Sequence, residues 1–392
     1  MKLNRTIAAL AGASLAAFAA SPAAAGDDDG LDFGDEGLTY TAADGQLELT
    51  LGGRAHLDLI HYDDEVTTDT FSEFRRARLE LGVKIGDRLR LRVDREFTNG
   101  GGWRNVWAAF DVTDDLTLKG GNMIAPFSFE DLQSSNEMSF MERSLANALA
   151  PGYGVGGQVS YKADRWSVTG GWFGEAIDAD EDGRPTDRGV GFTARGVFRP
   201  VDSRSQKVHL GLAVDSRSYG ANDVTSLGSG PEIGFAPSLL RTGPITNVDT
   251  QMTIGAEAAW VRRNMMVQAQ YIRSAYNRTA GGDFDVAGWY VQAGWALTGE
   301  RYNYSDGQGV LRGLQPRRGR PALEVVARVS ELDLVDGPIA GGVGRDYTLG
   351  ANVYVTRNLR IMANYIRAEA RDVAGRPDRD ADILAARAMV AF

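Results

Sequence analysis

FRRARLELGVKIGDRLRLRVDREF, residues 74–97, is oily on one face and lined with arginine on the other. Leu79, Leu81, Val83 and Ile85 share one parity, and Arg76, Arg78, Glu80 and Lys84 share the other. After a Gly86-Asp87 turn the pattern resumes, with Leu89, Leu91 and Val93 set against Arg90, Arg92, Asp94 and Glu96. Period-two alternation predicts strand, and the short link predicts a hairpin. A soluble sheet has little use for so many charges on one face of two adjacent strands, whereas a membrane barrel with a wet interior does. The register follows from energy. An arginine facing lipid at mid-bilayer costs about 2–4 kcal/mol, so a one-residue slip exposing Arg76, Arg78, Arg90 and Arg92 would cost about 8–16 kcal/mol. The same parity puts Arg54, His56 and Asp58 inside with Leu57 and Leu59 outside, and turns Glu324 and Arg328 inward. Arg75 falls on the lipid parity, which a place near the mouth or a β-bulge would accommodate.

Alternating segments recur to the last residue. They predict strands at 45–60, 74–85, 88–98, 103–112, 116–122, 155–163, 166–174, 189–199, 207–217, 249–261, 265–275, 285–297, 321–334, 346–356, 359–370 and 381–392. Sixteen is the even number that a single-chain bacterial barrel requires, and most segments are long enough to cross a bilayer at a tilt. Tight turns at one end alternate with longer links at the other (61–73, 99–102, 123–154, 175–188, 218–248, 276–284, 335–345 and 371–380), so the long links are read as extracellular. The run 298–320 is long where a short turn is due, and is placed in the periplasm. The last strand ends on Phe392, a terminal aromatic expected to serve as a signal to the outer-membrane assembly machinery. Rings near strand ends, such as Tyr161, Trp166, Trp172, Trp260, Trp295 and Tyr347, suit interfacial girdles.

The 392-residue chain opens with Lys2 and Arg5, an apolar run from Ile7 to Ala20 and Ala23-Ala24-Ala25. This is the pattern of a signal peptide over residues 1–25, leaving one barrel domain over 26–392. The apolar run is too short to be a spanning helix. There is no cysteine, so disulfides do not hold the fold. The formal net charge is −10, which argues against nucleic acid as a partner. Beyond the leader, lysine occurs only at 84, 119, 162 and 207, and arginine carries nearly all the positive charge.

Three segments carry a resemblance: FRRARLELG at 74–82, NMIAPFSFEDLQSSNEMSFMERSLANALAPG at 122–152, and the pair ALEVVARVSELDL at 322–334 with YTLGANVYVTRNLRIMANYIRA at 347–368. The chain resembles the phosphate-selective porins of the O and P type. The resemblance implies a sixteen-stranded antiparallel transmembrane β-barrel, usually trimeric, whose third extracellular loop folds into the lumen. It further implies passive diffusion of small anions such as phosphate past basic side chains. By matching motif, Arg75 and Arg76 of FRRAR and Arg143 of FMERS are the expected constriction cations; Arg54 of LGGRAHLDL matches a basic position on the first strand, and Arg78 joins them as the next arginine on the inward face. Loop 123–154 departs from the family in having no lysine, and it carries Glu130, Asp131, Glu137 and Glu142. Anion conduction therefore transfers more firmly than phosphate specificity, and a porin of weak selectivity is the alternative.

Arginine suits such a path because its planar fork grips oxyanions and keeps its charge. Thirty-two residues is long for a plain connection, and Phe127, Phe129, Phe140, Met138 and Met141 require something to pack on, for which the lumen is the natural place. Arg90 and Arg92, beside Glu80, Asp94 and Glu96, are read as self-paired wall, and Arg75, Arg76 and Arg78 are expected to meet Arg143. Asp178, Asp180, Glu181 and Asp182 lack the spacing of a calcium loop and are read as an acidic external loop facing lipopolysaccharide and outer-membrane lipid. With His56, His61 and His209 as the only histidines, and no nucleophile elbow or phosphate loop, neither an enzyme nor a metal or cofactor site is expected.

Overall fold

The computed structural model describes residues 30–34, 37–43, 45–98, 101–179, 189–220 and 224–392. The leader lies outside these, as do Asp180, Glu181 and Asp182. Sixteen strands form the wall: β1 (Leu47–Asp64), β2 (Thr68–Ile85), β3 (Leu89–Glu96), β4 (Gly102–Asp111), β5 (Leu116–Ile124), β6 (Tyr153–Lys162), β7 (Trp166–Phe173), β8 (Val190–Asp202), β9 (Gln206–Ser218), β10 (Val248–Arg262), β11 (Met265–Arg278), β12 (Phe284–Ala296), β13 (Ala322–Asp336), β14 (Ile339–Tyr354), β15 (Leu359–Val373) and β16 (Arg379–Ala391). Each pairs antiparallel with its neighbours, and β16 returns to β1 with Ala391 opposite Arg54 and Ala381 opposite Asp64, so the sheet closes. A short hairpin, Leu31–Gly34 and Gly37–Thr41, joins the lower edge of β1.

The parity reading holds along the wall. Leu79, Leu81 and Leu59 are exposed on the outside, whereas Arg54, His56, Asp58, Arg76, Asp94, Glu324 and Arg328 are buried inside. Arg75 is the extra residue of a bulge: Phe74 faces Leu57, Arg76 faces His56, and nothing opposes Arg75. The bulge lets two consecutive arginines approach the lumen while Phe74 keeps its lipid-facing side.

Several expected links are shorter than the sequence suggests. Strands β1 and β2 run on to Asp64 and Thr68, so 61–73 shrinks to a turn at 65–67, and 335–345 shrinks to 337–338. These extensions, HYDD and TDTFSE among them, carry only isolated apolar residues, such as Tyr62 and Phe71, which pack inward. They lack the apolar alternation that marks a strand in lipid, yet pairing still satisfies their backbone groups.

Among the described residues, three connections enter the barrel. The loop between β5 and β6 (125–152) puts Phe127, Met141, Leu145 and Leu149 into a core with Ile60, Ile272, Leu332 and Ile366 of the wall. The described part of the β9–β10 loop adds Ile233, Leu239, Leu240 and Ile245 to that core. The run 298–320 does start and end at the short-turn side, but its hairpin, Tyr302–Ser305 with Val310–Leu314, turns up into the lumen. Tyr302, Val310, Leu311 and Leu314 find apolar cover there against Phe129, Ala259, Val261, Met266 and Ala322, which water could not supply.

Candidate functional site: a cationic passage beside an infolded loop

The infolded loop is a tied plate. Ser128 caps the short helix Phe129–Leu132, accepting from Asp131 N at 3.3 Å. Glu130 accepts from the Ser144 backbone N at 3.0 Å and from its hydroxyl at 2.5 Å, so the two arms of the loop are laced together. Arg143 folds back on the plate. It donates to the carbonyls of Glu130, Asp131 and Gln133, and its Nε lies 3.2 Å from the Asp131 carboxylate.

Inward arginines hold the plate to the wall. Arg76 grips Glu142 with two bonds of 3.0 Å, Arg75 adds one of 3.0 Å, and Arg387, itself clamped on Asp58, adds one of 2.8 Å. Burial pushes the Glu142 carboxyl up, but Arg76, Arg75 and Arg387 outweigh it and hold the group well below the usual carboxylate range. Arg54 donates to Ser135 at 2.9 Å and pairs with Glu80. Arg360 reaches the Met138 carbonyl at 2.8 Å, and Arg328 reaches the Glu142 carbonyl at 2.9 Å while lying over the Phe140 ring. Across the lumen, Asn352 donates to the Ser139 carbonyl, and the Ser139 hydroxyl donates to Glu324, each at 2.7 Å.

What remains open is a polar cavity of about 1120 Å³ along β1–β8, between the plate and the hairpin from below. Its charged lining is one-sided. Arg54, Arg75, Arg76, Arg78, Arg92, Arg104, Lys119, Arg143, Arg195, Arg312, Arg357 and Arg360 stand against only Glu80, Glu96, Asp131 and Glu137. Part of this excess is met by carboxylates behind the lining, Glu142 for Arg75 and Arg76, Asp94 for Arg92 and Glu257 for Arg195.

All five arginines expected from the sequence line this cavity, but they do different things. Arg75 and Arg76 spend their charge on Glu142, Arg54 docks the loop, and Arg78 pairs with Glu96 at 3.2 Å. Arg143 turns toward its own loop, and the direct meeting with Arg75 and Arg76 is replaced by Glu142 standing between wall and loop. Arg90 and Arg92 are paired wall: Arg90 with Asp111 at 2.7 Å, Arg92 with Glu80 at 2.5 Å and Asp94 at 2.8 Å.

Sequence reasoning passed over Lys119. Its Nζ sits 4.2 Å from the centre of the Trp107 ring and faces the passage. The alternation of Leu116 and Leu118 outside with Lys119 inside could have shown it. Arg312, on the hairpin, lies 3.3 Å from Glu137 of the plate, and Arg195 donates to the carbonyls of Gln308 and Gly309, at 2.9 and 2.7 Å. No periodic signal places a hairpin tip inside a barrel. Phe392 closes the seam, its backbone exchanging bonds of 2.8 and 3.0 Å with Gly53. Among the described residues, no cluster of three or more His, Asp or Glu is arranged to hold a metal ion.

The family model for "Phosphate-selective porin O and P" matches residues 49–392. Porin O of Pseudomonas aeruginosa is 25% identical over 406 aligned residues, covering 91% of each chain. Two solved porin-like barrels share the fold. The trimer form of OmpT, an outer membrane protein of Vibrio cholerae, superposes with a TM-score of 0.55 at 12% identity, covering 88% of this chain and 99% of its own. An anion-selective porin from Comamonas acidovorans superposes with a TM-score of 0.54 at 12% identity, covering 88% of this chain and all of its own.

Proposed function

The chain belongs to the phosphate-selective porin O and P family, an outer-membrane porin, and from that premise we propose that it passes small anions down their gradient as a homotrimer. The observation that carries the reading is the cation-rich lining of the lumen cavity, in a protein whose net charge is −10. Oxyanions of phosphate size are the favoured solute. The Arg78 guanidinium, bound to Glu96 through its Nε, leaves its two terminal nitrogens as paired donors, and Lys119 adds a point charge. Passage also needs a loose grip. A charge pair 4 Å apart is worth roughly 1 kcal/mol in water and about 4 kcal/mol at an effective dielectric of 20, so weak sites in series concentrate an anion without trapping it. The trimer rests on the family and on the trimeric form of a similar barrel.

Planar-bilayer recording tests the proposal. In a KCl gradient the reversal potential is expected on the anion-selective side, and millimolar phosphate is expected to block chloride current. A cation-selective reversal potential overturns the anion reading. Anion selectivity without phosphate block leaves the porin and favours the weakly selective form, for which the pairing of Arg78 and Arg92 with Glu96, Glu80 and Asp94 is the supporting observation.

A further inference from the structure

The periplasmic rim of the barrel is charged unevenly. Six arginines stand exposed on the short-turn side beneath β8–β13: Arg204 in the β8–β9 turn, Arg263 in the β10–β11 turn, and Arg301, Arg317, Arg318 and Arg320 in the two arms of the β12–β13 link. Backbone bonds knit them into one patch. Arg301 donates to the Arg204 carbonyl at 3.3 Å, Tyr302 N to the Arg263 carbonyl at 3.3 Å, and Arg263 N to the Ser205 carbonyl at 2.9 Å. Arg320 N donates to the Arg317 carbonyl at 2.9 Å, closing a turn that carries Arg317, Arg318 and Arg320. Arg263 has a φ of 55°, at a turn position that glycine fills without strain, so its side chain stands there against a backbone cost.

The patch has little to balance it. Outside the infolded hairpin, Glu300 is the one carboxylate of these three connections, 3.7 Å from Arg317. Asp202 and Asp306 beside them are taken by Arg199 and Lys207. Among the described residues, no carboxylate pairs with Arg204, Arg263, Arg301, Arg318 or Arg320. None of the six arginines lines the cavity. The turns 86–88, 112–115 and 163–165, beneath the strands that do line it, carry Asp87, Asp114, Asp115 and Asp164 against Arg88 and Arg165. An anion funnel would set its cations under the passage, whereas these stand under the plugged sector. A flexible anionic polymer needs no fixed spacing of cations, but a rim with one basic and one acidic side orients a rigid body.

We infer that this patch docks a soluble periplasmic protein through an acidic face. Guanidinium forks grip carboxylates in pairs. The acidic turns opposite repel the same face, so the partner settles beside the outlet and leaves it open. The inference rests on the outer-membrane setting and not on anion conduction.

Photocrosslinking in living cells tests it. The full-length chain carries p-benzoylphenylalanine in place of Pro321, inside the patch, or in place of Asp114, on the acidic side. Position 321 is expected to give an adduct of discrete mass with a soluble protein of low isoelectric point, roughly tenfold stronger than at position 114. The triple change Arg204→Gln, Arg263→Gln, Arg318→Gln removes no side-chain bond named above, so the barrel keeps its heat-modified migration while the adduct falls roughly tenfold. The crosslinked protein, purified and titrated against the unaltered barrel in detergent, is expected to lose roughly tenfold in affinity between about 50 and about 300 mM NaCl, and a similar factor in the triple variant. Absence of an adduct at position 321, equal adducts at both positions, or an adduct indifferent to the triple change overturns the inference. So does a muramidase-sensitive ladder of wall fragments or an adduct of phospholipid mass. A shifted reversal potential in the triple variant makes the patch part of the permeation path and overturns it as well.

Discussion

Replacing Glu142 with glutamine is expected to free the infolded loop without unfolding the barrel. Glu142 is the one carboxylate shared by Arg75, Arg76 and Arg387, at 3.0, 3.0 and 2.8 Å, and the last two guanidiniums are almost fully buried. Each contact is worth about 4 kcal/mol by Coulomb's law at an effective dielectric of 20, but desolvation and repulsion among three guanidiniums offset most of that sum. Breaking a buried pair costs about 3–5 kcal/mol net. Glutamine keeps part of the hydrogen bonding, so the loop anchor should weaken by about 2–3 kcal/mol, roughly a 30- to 150-fold shift toward an undocked loop. The barrel itself is secured by its closed ladder and should keep its heat-modified migration on gels. Single-channel recording in KCl should show current flickering between levels where the wild type holds one, together with stronger anion selectivity, because Arg75 and Arg76 regain free charge. A steady single level with unchanged reversal potential would refute the assignment of Glu142 as the hinge pin.

The same hub predicts resistance to acid. A carboxyl held below its unfolded value of about 4.3 keeps its contribution until pH falls through the lower folded value, so current levels should stay steady from pH 7 to about 4.5. Early onset of flicker in that window counts against the three-arginine cage. Lys119→Glu changes the passage by two charges, worth about 1 kcal/mol on a passing ion and of opposite sign for anion and cation, so the anion-to-cation permeability ratio should fall about thirtyfold. Replacing residues 302–314 with a short glycine linker should raise conductance roughly twofold by opening the lower constriction, with pore block by sized polymers as the measure. Deleting Phe392 removes the Gly53 pairing at the seam and should lower the yield of folded barrel in outer-membrane fractions.

The wall was legible because lipid enforces a rule. A strand with solvent on one side and hydrocarbon on the other must alternate, and Leu79 to Val93 could be assigned a side from parity alone. The bulge at Arg75 was legible for the same reason, as the place where parity failed. What parity cannot do is divide inward arginines by task. Arg76 and Arg78 sit two residues apart on one face and both line the cavity, yet one clamps a loop and the other pairs with the wall at Glu96, because Glu142 arrives from a distant loop to meet only the first. The hairpin near Tyr302 was placed at the right end and on the wrong side of the opening. Its few apolar residues are too short a run to announce that the lumen is their core.

The net charge of a barrel says little about its permeant ion because its interior is divided into dry and wet parts that obey opposite rules. In the dry part an unpaired charge costs several kcal/mol, so charges come in satisfied sets: Arg387 with Asp58 and Glu142, Arg328 with Glu232 and Glu130. Carboxylates that would otherwise repel an anion are consumed there, in fastening loops to the wall. In the wet part water screens the surviving charges, so a cation excess is tolerable, and Lys119 can line a passage against the Trp107 ring while Arg312 and Arg195 are paired with Glu137 and Glu257. Loop packing and ion selectivity are therefore coupled. Each acidic group recruited to dock the plate leaves the remaining water column more positive, and a mutation that undocks the plate changes the field in the pore as well as its width.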